Sequence, residues 1–269
     1  MSPPPSIARR LRNLLMPLVT LAIILALWQF AIQWFEVPRY QAASPIDVAE
    51  AFVQRGPEIL SATLVTGASA AIGFAASLVL GTTLAFLFSQ SAWLRASLMP
   101  YALFMQTVPV VAIAPIVISL VGYGPRSVAL IAMMISLFPM IASGTAGFLA
   151  VDADLLDLFR LHRASGLKTL IKLRIPSAVP HLVTGAKTAA GLAVIGAIVG
   201  ELFAGGAYNR KGLAQLIDGA LQRLHSDLLF AAVIASTLLG LSFYLAVTLL
   251  ERTVLRRWTR RKREGSGAP

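Results

Sequence analysis

The 269-residue chain contains no cysteine, which excludes a disulfide framework, a thiolate metal site and a cysteine nucleophile. Charge is scarce: only 13% of residues are Asp, Glu, Lys or Arg, and there are three histidines. The long apolar runs hold almost no ionisable groups. An intramembrane enzyme would need clustered His, Asp or Glu at one face, and a proton-coupled carrier would need a buried carboxylate relay; both patterns are missing. The lone His225 reads as a solvated loop residue and offers no metal site. There is also no G-x-x-x-x-G-K-[ST] phosphate cradle. The nearest fragment, Gly185-Ala186-Lys187-Thr188, lacks both the spacing and the adjacent Gly-Lys, so this chain does not hydrolyse ATP and binds no cofactor of its own.

What is present is apolar surface. Hydrophobic residues make up 57% of the chain, too much for a soluble domain of this size. An ion near a bilayer centre costs roughly 2.5 to 3.5 kcal/mol, so charge-free runs of about 20 residues read as spanning helices. Five stand out: Asn13 to Phe35, Ile59 to Leu94, Ala96 to Pro125, Ser127 to Val151 and Leu228 to Leu250. A sixth, about Leu182 to Phe203, carries Lys187 near its start, where its stem is expected to snorkel to the headgroups. The fold expected is therefore all-α, a polytopic membrane protein with about six transmembrane helices.

An even number of spans puts both termini on one side. Of 23 Lys and Arg, six lie on the other side, namely Arg39, Arg55, Arg126, Arg210, Lys211 and Arg223. The remaining 17 share the side of the termini, which the positive-inside rule makes cytoplasmic. The expected organisation is a basic N-terminus (1–12), a transmembrane domain (13–250) with a cytoplasmic loop over about 152–180, and a basic tail (251–269). The cations of "RRWTRRKR", directly after a span, suit anionic headgroups of the lipid bilayer rather than nucleic acid. The first span has a basic flank like a signal peptide, yet its length and lack of a small-x-small site make it a retained anchor.

Three features punctuate the runs. Pro100, Pro109, Pro115 and Pro125 each remove a backbone donor where no water can replace it, so the third span is kinked or interrupted. The interruption is either a packed kink or an unwound stretch lining a translocation path, with Gln106, Thr107 and Pro109 as its candidate residues. In the fifth span, Ala189, Ala193 and Ala197 share a face and Gly196 and Gly200 form a small-xxx-small pair, suited to close helix packing. Glu201, at the end of that span, reads as an interfacial terminus or as part of an external gate. Beyond it, Gly205, Gly206 and Gly212 precede an apolar spacing at Leu213, Leu216, Ile217 and Leu221, predicting a loop and a short helix dipping towards the membrane. Before the second span, a short amphipathic helix is expected over Asp47 to Gln54.

The cytoplasmic loop has its own pattern. Asp152, Asp154 and Asp157 favour the start of a short helix that breaks near "RASG", and Ser165 then caps a second. On that second helix Leu167, Leu170 and Ile171 share one face and Lys168 and Lys172 another, with Pro176 expected to close it. An apolar face rimmed by cations implies a partner surface, or packing on lipid or on this chain's own helix ends.

These residues resemble the permease subunits of bacterial ATP-binding-cassette importers, most like the class for aliphatic sulfonates, taurine, nitrate and thiamine precursors. Those permeases carry Glu-Ala-Ala, three residues, Gly, nine residues, Ile, one residue, Leu-Pro. Set on Pro176, the only identity, this pattern puts Glu on Asp157, Gly on Arg163, Ile on Leu173 and Leu on Ile175, while Leu158, Phe159 and Arg163 depart from it. Gly166 is expected to supply the flexible corner in place of the missing Gly. The similarity runs ungapped through "ASGLKTLIKLRIPSAVPHLVTGAKTA" and on through "GAIVGELFAGG" to the last span. The resemblance implies a type I importer permease fold in the bacterial inner membrane. It further implies an ATPase docked on the loop (Asp157, Arg163, Ser165, Gly166, Leu167, Lys168, Leu170, Ile171, Lys172 and Pro176), ATP bound by that partner, a second permease copy, and an extracytoplasmic binding protein that delivers the solute.

Overall fold

The computed structural model describes residues 7–204 and 211–264, with side chains for 15–204 and 211–252. The expected loop glycines Gly205 and Gly206 lie outside the described residues, as do the side chains of Arg256–Arg263. All described regular elements are helical. In chain order they are α1 (Ile7–Trp34), α2 (Pro45–Gln54), α3 (Gly56–Gln90), α4 (Ala92–Thr107), α5 (Val110–Val121), α6 (Pro125–Leu149), α7 (Ala153–Leu161), α8 (Gly166–Thr169), a π-helical turn (Leu170–Arg174), α9 (Ile175–Ala204), α10 (Leu213–Gln222) and α11 (Ser226–Glu264).

Five stretches are long and apolar enough to cross a bilayer: Leu15–Trp34, Gly56–Gln90, Pro125–Leu149, Gly166–Ala204 and Ser226–Arg252. α4 and α5 meet at a 100° bend where the third span was expected. Packing shows that this bent pair makes a crossing. Gly73 of α3 lies against Ala129 and Ala132, Gly81 against Met140 and Ala85 against Gly144, so α3 and α6 run in the same direction. The chain must therefore return between them, over a depth of roughly 30 Å for the 20-odd residues by which they overlap. Six crossings result. The break follows from Pro109, which caps α5 with extended backbone and cannot continue α4.

The chain divides into two compact units. The smaller comprises residues 1–60 and 216–234. In it Ser44 caps α2 with a reciprocal capping box: its hydroxyl accepts from the Asp47 amide, and the Asp47 carboxylate takes the Ser44 amide at 3.0 Å. The Ser44 hydroxyl, at 2.6 Å, holds the Asp47 carboxyl below its ordinary value, with Arg39 at 3.3 Å adding to the effect. His225 is not merely solvated, since its Nδ1 lies 3.2 Å from an Arg55 guanidinium nitrogen. Trp28 and Phe230 meet with ring centroids 5.6 Å apart.

The larger unit, residues 61–215 and 235–269, is built on the antiparallel pair α6 and α9. Contact runs the whole length of the two helices: Gly200 on Val128, Gly196 on Ala132, Gly185 on Pro139 and Ser143, and Gly147 on Ala178 and His181. Ala189, Ala193 and Ala197 are fully buried along this seam, so the small-residue stripe packs within the chain. Ile131, Val194 and Ala70 form a core with Ala114, Val117 and Ile118 of α5. Buried Ser136 satisfies its hydroxyl on the Ala132 carbonyl at 2.7 Å.

Lys187, expected to snorkel to the headgroups, also has a partner within the chain. Its ammonium pairs with Glu251 of α11 at 2.6 Å and lies 6.0 Å from the centre of the Tyr244 ring. An ammonium in an apolar span is stabilised by an internal counter-ion when one is in reach.

A Cβ on Gly196 would sit 2.7 Å from the Ala132 Cα, against backbone that cannot move aside. G196V is expected to destabilise the bundle by about 1 to 3 kcal/mol through overpacking, read as a lower midpoint of thermal unfolding in detergent.

Candidate functional site

Two regions of the larger unit gather the residues singled out from the sequence. The first is the elbow of α7, α8 and the π-helical turn. Asp152 caps α7, its carboxylate accepting from the Asp154 amide at 3.0 Å, and Asp157 pairs with Arg160 at 2.9 Å. α7 then ends in a Schellman turn: the Ala164 amide reaches the Phe159 carbonyl at 3.0 Å and the Arg163 amide reaches Arg160 at 2.9 Å. Arg163 takes φ +47°, the left-handed conformation that favours glycine. The corner therefore lies at Arg163, where the resembled pattern has Gly, and not at Gly166, which simply opens α8.

Ser165 caps α8, its hydroxyl accepting from the Lys168 amide at 3.4 Å. Pro176 does not close the second helix. The chain passes through the π-helical turn of Leu170–Arg174, where the Ile175 amide bonds to the Leu170 carbonyl, and continues as α9. The wider register lies immediately before Pro176, which has no N–H to donate and whose ring would crowd an α-helical carbonyl four residues back.

The elbow leaves apolar side chains uncovered. Leu161 is 81% exposed, Leu167 66% and Ile171 56%, with Leu155 and Leu158 also open, whereas Leu170 is half-buried and Leu173 buried. Lys168 and Lys172 are exposed beside them. A cleft of about 400 Å³ lies inside the elbow, between Leu156 and Arg160 on one side and Leu167 and Leu170 on the other. Arg174 reaches Gln90 of α3 at 3.4 Å, attaching the elbow to the bundle.

The second region is the α4–α5 break. Gln106, Thr107 and Pro109 are all exposed there, and the Thr107 hydroxyl satisfies itself on the Phe104 carbonyl at 2.8 Å. Gln106 faces a cleft of about 490 Å³ with Tyr101, Met105, Met134, Phe138 and Leu192. That lining is apolar apart from the amide and a phenol.

Glu201 belongs to neither region. It is 4% exposed, and its Oε2 accepts from the Thr66 hydroxyl at 3.0 Å and the Ala214 amide at 3.2 Å. A buried carboxylate must find donors, and here the first turn of α10 supplies one. Sequence reasoning missed Thr66, for which no local signal exists. It also missed the pairing of Lys187 with Glu251, although a lone cation inside an apolar run was a signal that a counter-ion is needed.

Residues 77–256 match the family described as the binding-protein-dependent transport system inner membrane component. A probable ABC transporter permease protein of Haemophilus influenzae is 31% identical over 88% of this chain and 96% of its own length. The riboflavin transport system permease protein RibX of Chloroflexus aurantiacus is 32% identical over 88% of each chain. The formylaminopyrimidine transport permease protein ThiX of Halalkalibacterium halodurans is 27% identical over 92% of this chain and 97% of its own. An inward-facing structure of the MetNI methionine ABC transporter shares the fold, with a TM-score of 0.56 at 17% identity over 71% of this chain and 95% of that one.

Two substitutions probe the site. R163G removes a left-handed penalty of about 1 to 2 kcal/mol and adds about 0.4 to 1 kcal/mol of unfolded-state entropy. The net gain of about 0.5 to 1 kcal/mol is expected as slower amide exchange at Ala164, and R163A should show none. For the ion pair, K187E and E251K alone should each lower stability by about 1 to 2 kcal/mol, since both groups are only partly exposed. The double swap should recover most of that loss in thermal unfolding.

Proposed function

This chain belongs to the family of inner membrane components of binding-protein-dependent transport systems and is a multi-pass permease subunit of an ATP-binding-cassette importer; on that premise we propose how it is coupled and what it carries. The elbow formed by α7, α8 and the π-helical turn is the docking element for a separate ATPase, which binds and hydrolyses the ATP. The observation that carries this reading is the uncovered row Leu161, Leu167 and Ile171 with Lys168 and Lys172 alongside, an apolar face rimmed by cations. Apolar contacts supply the affinity, and the cations orient an acidic rim on the partner.

Both termini and the elbow face the cytoplasm, where most of the cations lie. The α4–α5 break, with Gln106, Thr107 and Pro109, borders the translocation path, because irregular backbone at membrane depth is tolerated where it lines a cavity. A second copy of the permease completes the path. An extracytoplasmic binding protein delivers a small polar solute, as the names of the related riboflavin and formylaminopyrimidine permeases suggest.

The docking face is tested by co-purification with the ATPase. L167D, K168E and K172E are each expected to reduce recovery of the ATPase by about fivefold or more while membrane insertion persists. Unchanged recovery for all three would remove the elbow as the docking site. ATP-dependent uptake into vesicles that contain permease, ATPase and binding protein tests the wider reading, and uptake by the permease alone would overturn it.

A further inference from the structure

Glu201 closes a small polar cluster in otherwise apolar surroundings. Thr66 of α3, Glu201 of α9 and the first residues of α10 are buried together, with Thr66 and Leu213 at 0% exposure and Ala214 at 1%. The Leu213 amide donates to the Thr66 hydroxyl at 2.8 Å, while that hydroxyl and the Ala214 amide both donate to Glu201 Oε2. The Gly212 amide donates to Gln215 Oε1 at 2.7 Å, and the Gln215 side-chain amide donates to the Glu201 carbonyl. Three successive amides at the start of α10 are thus satisfied by side chains, two of them from other helices. A Cβ on Gly212 would collide with the Glu201 carboxylate, so the backbone passes this close only because the residue is glycine. Glu201 Oε1 is buried without a partner among the described residues, leaving Oε2 as the accepting atom of the junction.

Position gives the cluster its consequence. α9 runs as one helix from the π-helical turn of the elbow to Ala204, 30 residues and therefore about 45 Å, with Pro180 near its elbow end. Its elbow end lies beside Gly147 of α6 and its Glu201 end beside Val128, at opposite ends of the seam. An apolar contact at the far end would permit sliding, whereas the buried hydrogen-bonded junction fixes one geometry.

We propose that Glu201 is the positioning residue that ties the first turn of α10 to the far end of the α9 rod, so that displacement of the elbow reaches the opposite face as movement of α10. This rests on the reading of the elbow as the ATPase docking element. Glu201 acts on α10 through geometry, holding it by one oxygen, and contacts no solute in this role.

The native chain has no cysteine, so a single reporter can be placed in α10. In the full permease–ATPase complex carrying Q222C, at the exposed end of α10, reactivity to a membrane-impermeant maleimide is measured with and without ATP and magnesium, beside ATP hydrolysis. The expected result is an ATP-dependent change in labelling that E201A reduces about tenfold while hydrolysis stays within about twofold. E201Q keeps an oxygen for Thr66 and Ala214 and should retain the change within about threefold. T66V and G212A disturb the same junction from α3 and α10 and should resemble E201A. They carry the test if E201A fails to accumulate. The proposal is overturned if E201A, or both T66V and G212A, keep the ATP-dependent change of the parent, or if Q222C in the parent never responds to ATP although the complex hydrolyses it. A parent complex that hydrolyses no ATP would instead overturn the docking reading on which the proposal stands.

Discussion

Lipid tails are as apolar as the side chains they bathe, so burial of hydrocarbon does little to drive helices together in a membrane, and close backbone contact must take its place. In this permease that contact is the seam between α6 and α9. Glycines on both helices remove the Cβ that would hold them apart, from Gly200 over Val128 at one end to Gly147 over Ala178 at the other. α3 joins through Gly73 and Gly81, and α5 lays Ala114, Val117 and Ile118 on the same core. Dispersion between atoms in contact is individually small, but it sums over the whole length of a long interface.

A seam of this kind holds α9 in place along its length. Its two ends are chemically unlike the middle. At one end the π-helical turn and the Arg163 corner project Leu167 and Ile171 outward, with no cover from this chain. At the other, Glu201 and Thr66 receive the backbone donors of α10. Between them Lys187 is neutralised by Glu251, so the charge in the span is paired within the protein.

Much of this architecture was legible in the residues themselves. Runs without charge marked five spans directly, and Pro109 foretold the break in the third because proline removes a donor whatever surrounds it. Ser165 and Asp152 marked helix starts through the same local hydrogen bonds that the structure contains. Pro176 misled, because a proline ends a helix only if the preceding turn keeps α-helical register, and here that turn widens to π. Gly166 misled as well: a left-handed corner is set by where the helix hydrogen bonds run out, and they run out at Arg163.

Composition and local pattern by themselves marked about six apolar spans and an amphipathic elbow that breaks the apolar runs. These depend on free energies of transfer and on hydrogen bonds between near neighbours, both of which are properties of short stretches. Only the tertiary structure decided that the Gly and Ala stripe serves α6, that Lys187 meets a carboxylate 64 residues away and that Glu201 is buried under α10. Such pairings join residues distant in sequence, and no periodicity within one helix specifies which neighbour lies against it.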